Sequence, residues 1–116
     1  YRYFMDVCYG TGKGALDRLN ADMAAELKGI GVASVSLWPG MVGTEIVRSL
    51  TTAKGTVLMG GREIPEAVFE TPELTGRVIL AMLHDADVLE QHSGRVVQVV
   101  EAAKAYGLND AGGKLP

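Results

Sequence analysis

Leu16, Leu19, Met23, Leu27 and Ile30 recur at steps of three and four, the spacing that lays apolar side chains along one face of a helix. Asp17, Arg18, Asp22, Glu26 and Lys28 fill other faces, and Gly29 and Gly31 close the run. The pattern predicts an amphipathic helix over 9–30. Its first turn is unusual, because Gly10, Gly12 and Gly14 each cost about 1 kcal/mol relative to Ala in a helix interior. Such a cost is tolerated where something must approach the backbone closely. Residues 32–38, VASVSLW, read as a buried parallel strand that Pro39-Gly40 ends abruptly. Thr44 is the expected N-cap of a short helix over 44–50. Residues 51–70 lack a clean period and carry Gly55, Gly60, Gly61 and Pro65, so they read as a mobile excursion of the kind that closes over a site. Thr71 is the expected cap of a second helix over 71–83, with Pro72 at its first position and Glu73 favouring its dipole. GRVVQVV, 94–100, reads as a second strand, and 101–116 as an Ala-rich, then Gly-rich tail.

The order helix, strand, short helix, excursion, helix, strand suggests the closing part of a parallel α/β sheet. Two strands alone cannot bury both faces of such a sheet. The chain also opens at Tyr1 on the aromatic-dense YRYFMDVCY. The expectation is therefore the C-terminal portion of a longer domain. A chain of 116 residues suffices for one small domain and not two. The net charge is −3 and the eleven Lys and Arg form no basic stripe, which argues against a nucleic-acid partner. The single cysteine, Cys8, excludes an internal disulfide and a multi-cysteine metal site, and reads as buried and inert. His84 and His92 read as surface residues, and no metal site is expected. Trp38 reads as a core residue at its strand end. Apolar stretches are strand-sized, so no membrane span is expected in this segment.

The stretch VCYGTGKGALDRL, 7–19, carries two incompatible chemistries. Gly10-Thr11-Gly12-Lys13-Gly14-Ala15 fits G-x-G-x-x-G/A, the turn that cradles a dinucleotide pyrophosphate. That reading needs an acidic residue roughly twenty positions on, at the end of the next strand. The next strand ends Leu37-Trp38-Pro39-Gly40, with no acid. Alternatively, Tyr9 and Lys13 stand one helical turn apart and share a face. A phenol titrates near pH ~10. A neighbouring ammonium favours the phenolate. A tyrosine in that setting can give a proton to a carbonyl oxygen, or take one from an alcohol, as hydride moves. The plain alternative is a partly exposed Tyr-Lys pair on an ordinary helix.

Tyr9-x-x-x-Lys13, then an amphipathic helix, then a strand ending Pro39-Gly40-Met41-Val42-Gly43-Thr44, with SGRVVQVV further on, resembles the second half of a short-chain dehydrogenase/reductase over nearly the whole chain. The resemblance implies an α/β fold, the C-terminal portion of a Rossmann-like doubly wound parallel sheet. It divides the chain into a catalytic helix 9–30, a cofactor-side loop 39–44, a lid 45–70, a last helix and strand 71–100, and a tail 101–116. It implies Tyr9 as catalytic acid/base, with Lys13 assisting it and bonding the nicotinamide ribose. Pro39 and Gly40 would turn the chain beside the nicotinamide. The Val42 backbone would meet the carboxamide, with Thr44 near the carboxamide or pyrophosphate. Met41 would face ring or substrate. Met41 and Met59, with Val57, Leu58 and Phe69, are the apolar residues on the substrate and lid side and hint at an apolar compound, although apolar lids also pack against protein. The implied cofactor is NADP or NAD, with NADP favoured, and the implied substrate a small carbonyl or alcohol. A homo-oligomer is implied, and Ala21, Ala24 and Ala25 permit close helix packing, as the core helix of a monomer would too. The implied location is cytoplasmic, or membrane-associated through parts outside this segment. The glycine-rich cofactor loop and the catalytic serine would lie before Tyr1. Glu101-Ala102-Ala103 departs from the Gly-Gly pair that often follows the last strand. A non-catalytic interaction fragment retaining the scaffold, and a phosphate-binding module on Gly10–Ala15, remain as alternatives.

Overall fold

Asp6 starts the first helix. Its carboxylate accepts the Tyr9 N–H at 2.7 Å in the computed structural model, which describes residues 6–114. Helix α1 then runs Val7–Leu27, tightens into a 3-10 turn over Lys28–Ile30, and stops at Gly31, whose φ of 74° suits only glycine well. Gly10 to Ala15 are helical throughout, so the phosphate-loop reading of this stretch does not hold. Among the described residues, a Cβ added at Gly10, Gly12 or Gly14 would meet nothing within 4 Å.

The remaining elements are β1 (Ser36–Trp38), α2 (Glu45–Ser49), β2 (Thr56–Met59), β3 (Arg62–Pro65), α3 (Pro72–His84), α4 (Val88–Gln91), β4 (Val96–Gln98) and α5 (Val99–Ala105). Contacts divide them into two compact units. One holds the described residues up to Trp38 together with Met82–Val97. The other holds Pro39–Ala81 with the described residues from Gln98 on.

In the first unit β1 pairs with β4 in a small parallel sheet. The Ser36 N–H donates to the Arg95 carbonyl at 3.1 Å, and the Gly94 N–H to the Ser34 carbonyl at 2.8 Å. Helix α1 is joined to this pair through Asn20. Its amide nitrogen donates to the Arg95 carbonyl at 3.1 Å and its oxygen accepts the Ser34 hydroxyl at 2.9 Å. Gly94 packs on the same side, where a Cβ would come within 3.1 Å of the Ala24 methyl. The buried face of α1 is therefore Asn20 and Ala24, and the leucine stripe lies elsewhere. Leu16, Leu19, Met23 and Ile30 are exposed. The apolar stripe expected to face a core is thus exposed, and a hydrogen-bonded asparagine and a small alanine make the close approach to the strands. Trp38 is also exposed, contrary to the core role expected of it, and Cys8 is exposed rather than buried.

In the second unit Thr44 caps α2 as expected, its hydroxyl accepting the Val47 N–H at 3.3 Å. The excursion 51–70 contains regular structure. Strands β2 and β3 form an antiparallel hairpin with Met59 opposite Arg62, closed by Gly60 and Gly61 at φ 58° and 76°. Positive φ at both central residues is the two-residue turn whose twist matches the strands. Four-residue strands interrupted by that glycine pair are too short to show a period. Val57 and Phe69 are buried with Leu74, Val78, Val99, Ala102 and Ala103. Strand β4 ends at Gln98, two residues earlier than expected, and Val99 opens α5. Val99, Ala102 and Ala103, at i, i+3 and i+4, form the buried stripe of that helix, so the departure at Glu101-Ala102-Ala103 lies on a helix. Asp110 secures the segment after α5. Its carboxylate accepts the Thr71 N–H at 2.9 Å, the Thr71 hydroxyl, and the Ala111 N–H at 2.7 Å. Lys114 adds bonds to the carbonyls of Ala67 and Phe69. Burial opposes ionisation of Asp110, but bonds from the Thr71 hydroxyl and N–H and from Ala111, with the Lys114 charge, outweigh it and hold the carboxyl below its ordinary range.

Candidate active site

The Asp6 cap fixes the start of α1, and the helical repeat does the rest. Tyr9, Lys13 and Asp17 follow one another at i, i+4 and i+8 along one face. The Lys13 ammonium stands 5.6 Å from the centre of the Tyr9 ring, within cation–π range. Tyr9 is 41 % exposed and Lys13 is exposed, so both can meet a solute. The two residues singled out from their spacing are thus brought together.

One turn further, Asp17 does work that its place in the sequence does not announce. Its Oδ1 accepts the Ser36 hydroxyl at 2.6 Å and the Trp38 indole N–H at 3.0 Å. A single carboxylate thereby ties the helix bearing Tyr9 and Lys13 to the end of β1, the strand that runs directly into Pro39. The i+8 spacing from Tyr9 was the available signal.

The loop 39–44 belongs to the second unit, as does Met59. Pro39 and Gly40 are exposed, Met41 and Val42 half-buried, Gly43 buried and Thr44 exposed. Glu70 pairs with Val42 in an isolated parallel bridge, and its carboxylate accepts the Gly40 N–H at 3.0 Å. Arg48 grips the loop from the other end, its Nε donating to the Gly43 carbonyl at 2.9 Å while its Nη1 meets Glu66 at 2.5 Å. A Cβ at Gly43 would come within 3.0 Å of that guanidinium, so a side chain there would crowd it. Met59 is half-buried on the hairpin face that also carries Val57. Glu70 and Arg48 escaped the sequence reading because no local pattern links them to the loop they hold. Among the described residues no group of histidines, cysteines and carboxylates could hold a metal ion, and no helix is long and apolar enough to cross a membrane.

No family model matches the chain. Curated relatives do: Dehydrogenase/reductase SDR family member 1 of Mus musculus is 38 % identical over 116 residues, and the protein of the same name from Homo sapiens is 40 % identical over 117. In each case the match takes in 97 % of this chain and 37 % of the relative, so the chain spans little more than a third of the length of the relatives it matches. Because identity at this level runs through nearly the whole chain rather than through one motif, the chain belongs to the short-chain dehydrogenase/reductase family.

Proposed function

We propose that the protein carrying this chain transfers hydride between NADPH or NADH and a small carbonyl or alcohol, with Tyr9 as acid/base and Lys13 as its partner. The observation that carries this reading is the Lys13 ammonium set over the Tyr9 ring on an exposed turn of α1. When bound, the dinucleotide supplies or takes the hydride. The Tyr9 hydroxyl gives its proton to the carbonyl oxygen as charge gathers there, or removes one from an alcohol. Lys13 offsets the charge left on the phenol oxygen. Met41 and Met59 would furnish apolar contact on the substrate side. The residues of the 39–44 loop fit a nicotinamide carboxamide on one observation: among the described residues the Val42 N–H has no acceptor. Thr44 and the turn at Pro39-Gly40 complete the expected cofactor contacts, with NADP favoured over NAD. In this reading β1 and β4 are two strands of a Rossmann-like doubly wound sheet. The exposed Leu16, Leu19 and Met23 face supports the expected homo-oligomer.

The test is Tyr9→Phe in the full-length gene product, assayed with NADPH and NADH against a panel of aldehydes, ketones and secondary alcohols. Removing a general acid lowers kcat by about 10²–10⁴-fold. Full turnover in the variant refutes the role of Tyr9. If neither dinucleotide binds and nothing turns over, the non-catalytic reading takes its place.

A further inference from the structure

Glu70 stands thirty positions after Gly40 in the sequence, yet it meets the 39–44 loop at three points within one unit. Its N–H donates to the Met41 carbonyl at 2.8 Å, its carbonyl accepts the Gly43 N–H at 2.8 Å, and its carboxylate accepts the Gly40 N–H at 3.0 Å. The backbone pair is the bridge between Val42 and Glu70. In a parallel bridge of this kind the residue opposite, Val42, turns its own peptide groups away from its partner. The Val42 carbonyl is taken by the Thr44 N–H at 2.9 Å, which leaves its N–H as the outward donor. A Cβ at Gly40 would overlap the Glu70 carboxylate, so an added methyl there moves that carboxylate from its place. A bond from a peptide N–H to a carboxylate is roughly twice as strong as one between neutral groups.

We propose that Glu70 is the positioning residue of the 39–44 loop: by clamping Gly40, Met41 and Gly43 it keeps the Val42 N–H aimed at a carbonyl acceptor, the carboxamide of a nicotinamide dinucleotide. This rests on the hydride-transfer reading above. Glu70 itself takes no part in the proton or hydride steps. It acts through the loop, so its loss is felt in dinucleotide affinity and not in the chemical step. Glutamine keeps an oxygen that can accept the Gly40 N–H. Aspartate keeps the charge but is one methylene short of it.

The experiment measures the Kd for NADPH by fluorescence titration, and KM and kcat with 4-nitrobenzaldehyde, on the full-length gene product and its variants. Glu70→Ala and Glu70→Asp are each expected to weaken NADPH binding about five- to tenfold, the loss of one hydrogen bond to a charged group that is open to solvent. In both, kcat should stay within about twofold, since the step itself keeps its residues. Glu70→Gln restores most of the affinity. Gly40→Ala should weaken binding to the same degree, and Gly40→Ala with Glu70→Ala should be no worse than either alone, because both break one contact. Unchanged affinity in the alanine and aspartate variants, additive losses in the double variant, or a fall in kcat at constant KM each overturns the proposal. Should Glu70→Ala fail to fold, Glu70→Asp and the glutamine comparison still decide it. Tyr9→Phe separates the two layers: turnover lost there with Glu70 variants unaffected in affinity refutes the clamp and leaves the hydride reading standing. A wild-type protein that binds neither NADPH nor NADH removes both.

Discussion

Replacing Asp110 by asparagine keeps the shape of the side chain and removes its charge. Asp110 is only 2 % exposed and takes three hydrogen bonds, two of them from Thr71. A hydrogen bond to a charged group contributes about 1.5–3 kcal/mol, and donors left facing an amide NH₂ add a desolvation penalty. Asparagine's single acceptor oxygen, set where Oδ1 stands, keeps the bonds from the Thr71 hydroxyl and the Ala111 N–H and leaves the Thr71 N–H facing an amide NH₂. One bond at the low end of that range and a penalty of about 1 kcal/mol for the half-buried donor make the expected loss about 2.5 kcal/mol. With a urea m-value of about 1.5 kcal/mol/M for a chain of this size, the midpoint followed by circular dichroism should fall by about 1.7 M at pH 7. The pH dependence is the sharper arm. The folded carboxyl is held below its ordinary value, so its stabilisation is fully present above the unfolded value of about 3.9 and is lost as pH falls through the folded one. The gap between wild type and Asp110→Asn should stay constant from about pH 7 to pH 5 and close below about pH 4. A gap that persists unchanged to about pH 3, or a midpoint shift under about 0.4 M at neutral pH, would refute the reasoning.

Two more outcomes are expected beside those for Tyr9 and Glu70. Trp38 is the chain's single tryptophan, so one indole N–H resonance reports its bond to Asp17. Asp17→Ala should move that resonance upfield and speed its exchange with solvent, and a signal that does neither contradicts the bond. Gly61 has φ 76° with open space around its Cα, so Gly61→Val carries backbone strain alone, about 1–2 kcal/mol. Gly61→Asn should lose less than half as much, because asparagine tolerates the left-handed region. Thermal melts resolve the two, at about 4–8 °C per kcal/mol, and equal losses would argue against the turn geometry.

Helices whose ends carry their own chemistry were legible in the sequence. Thr44 before α2 and Pro72 at the start of α3 mark boundaries by what their side chains can and cannot bond. Short β structure was not. VVQVV reads as one β-branched run, yet burial of Val99 with Ala102 and Ala103 makes its last two residues helical. Likewise α4, a single turn, leaves no period to detect. At the site, the Tyr9–Lys13 pair could be found because the helix repeat brings near what the sequence keeps near. Asp17 lay on the same face but reads as ordinary surface charge until Ser36 and Trp38 are seen to approach it. Glu70 could not be found at all, since its partners Gly40, Met41 and Gly43 come close only through folding.

The Asp17 oxygen has one more consequence. Because it takes bonds from both Ser36 and Trp38, it fixes how far the end of β1 can lie from the middle of α1. The chain between them, 28–35, is thereby a spacer of set length, although none of its residues is a candidate for the chemistry. An insertion or deletion there would slide the strand past the carboxylate and carry Pro39 with it. A connection with no chemistry of its own therefore sets whether the strand end meets the carboxylate that holds it.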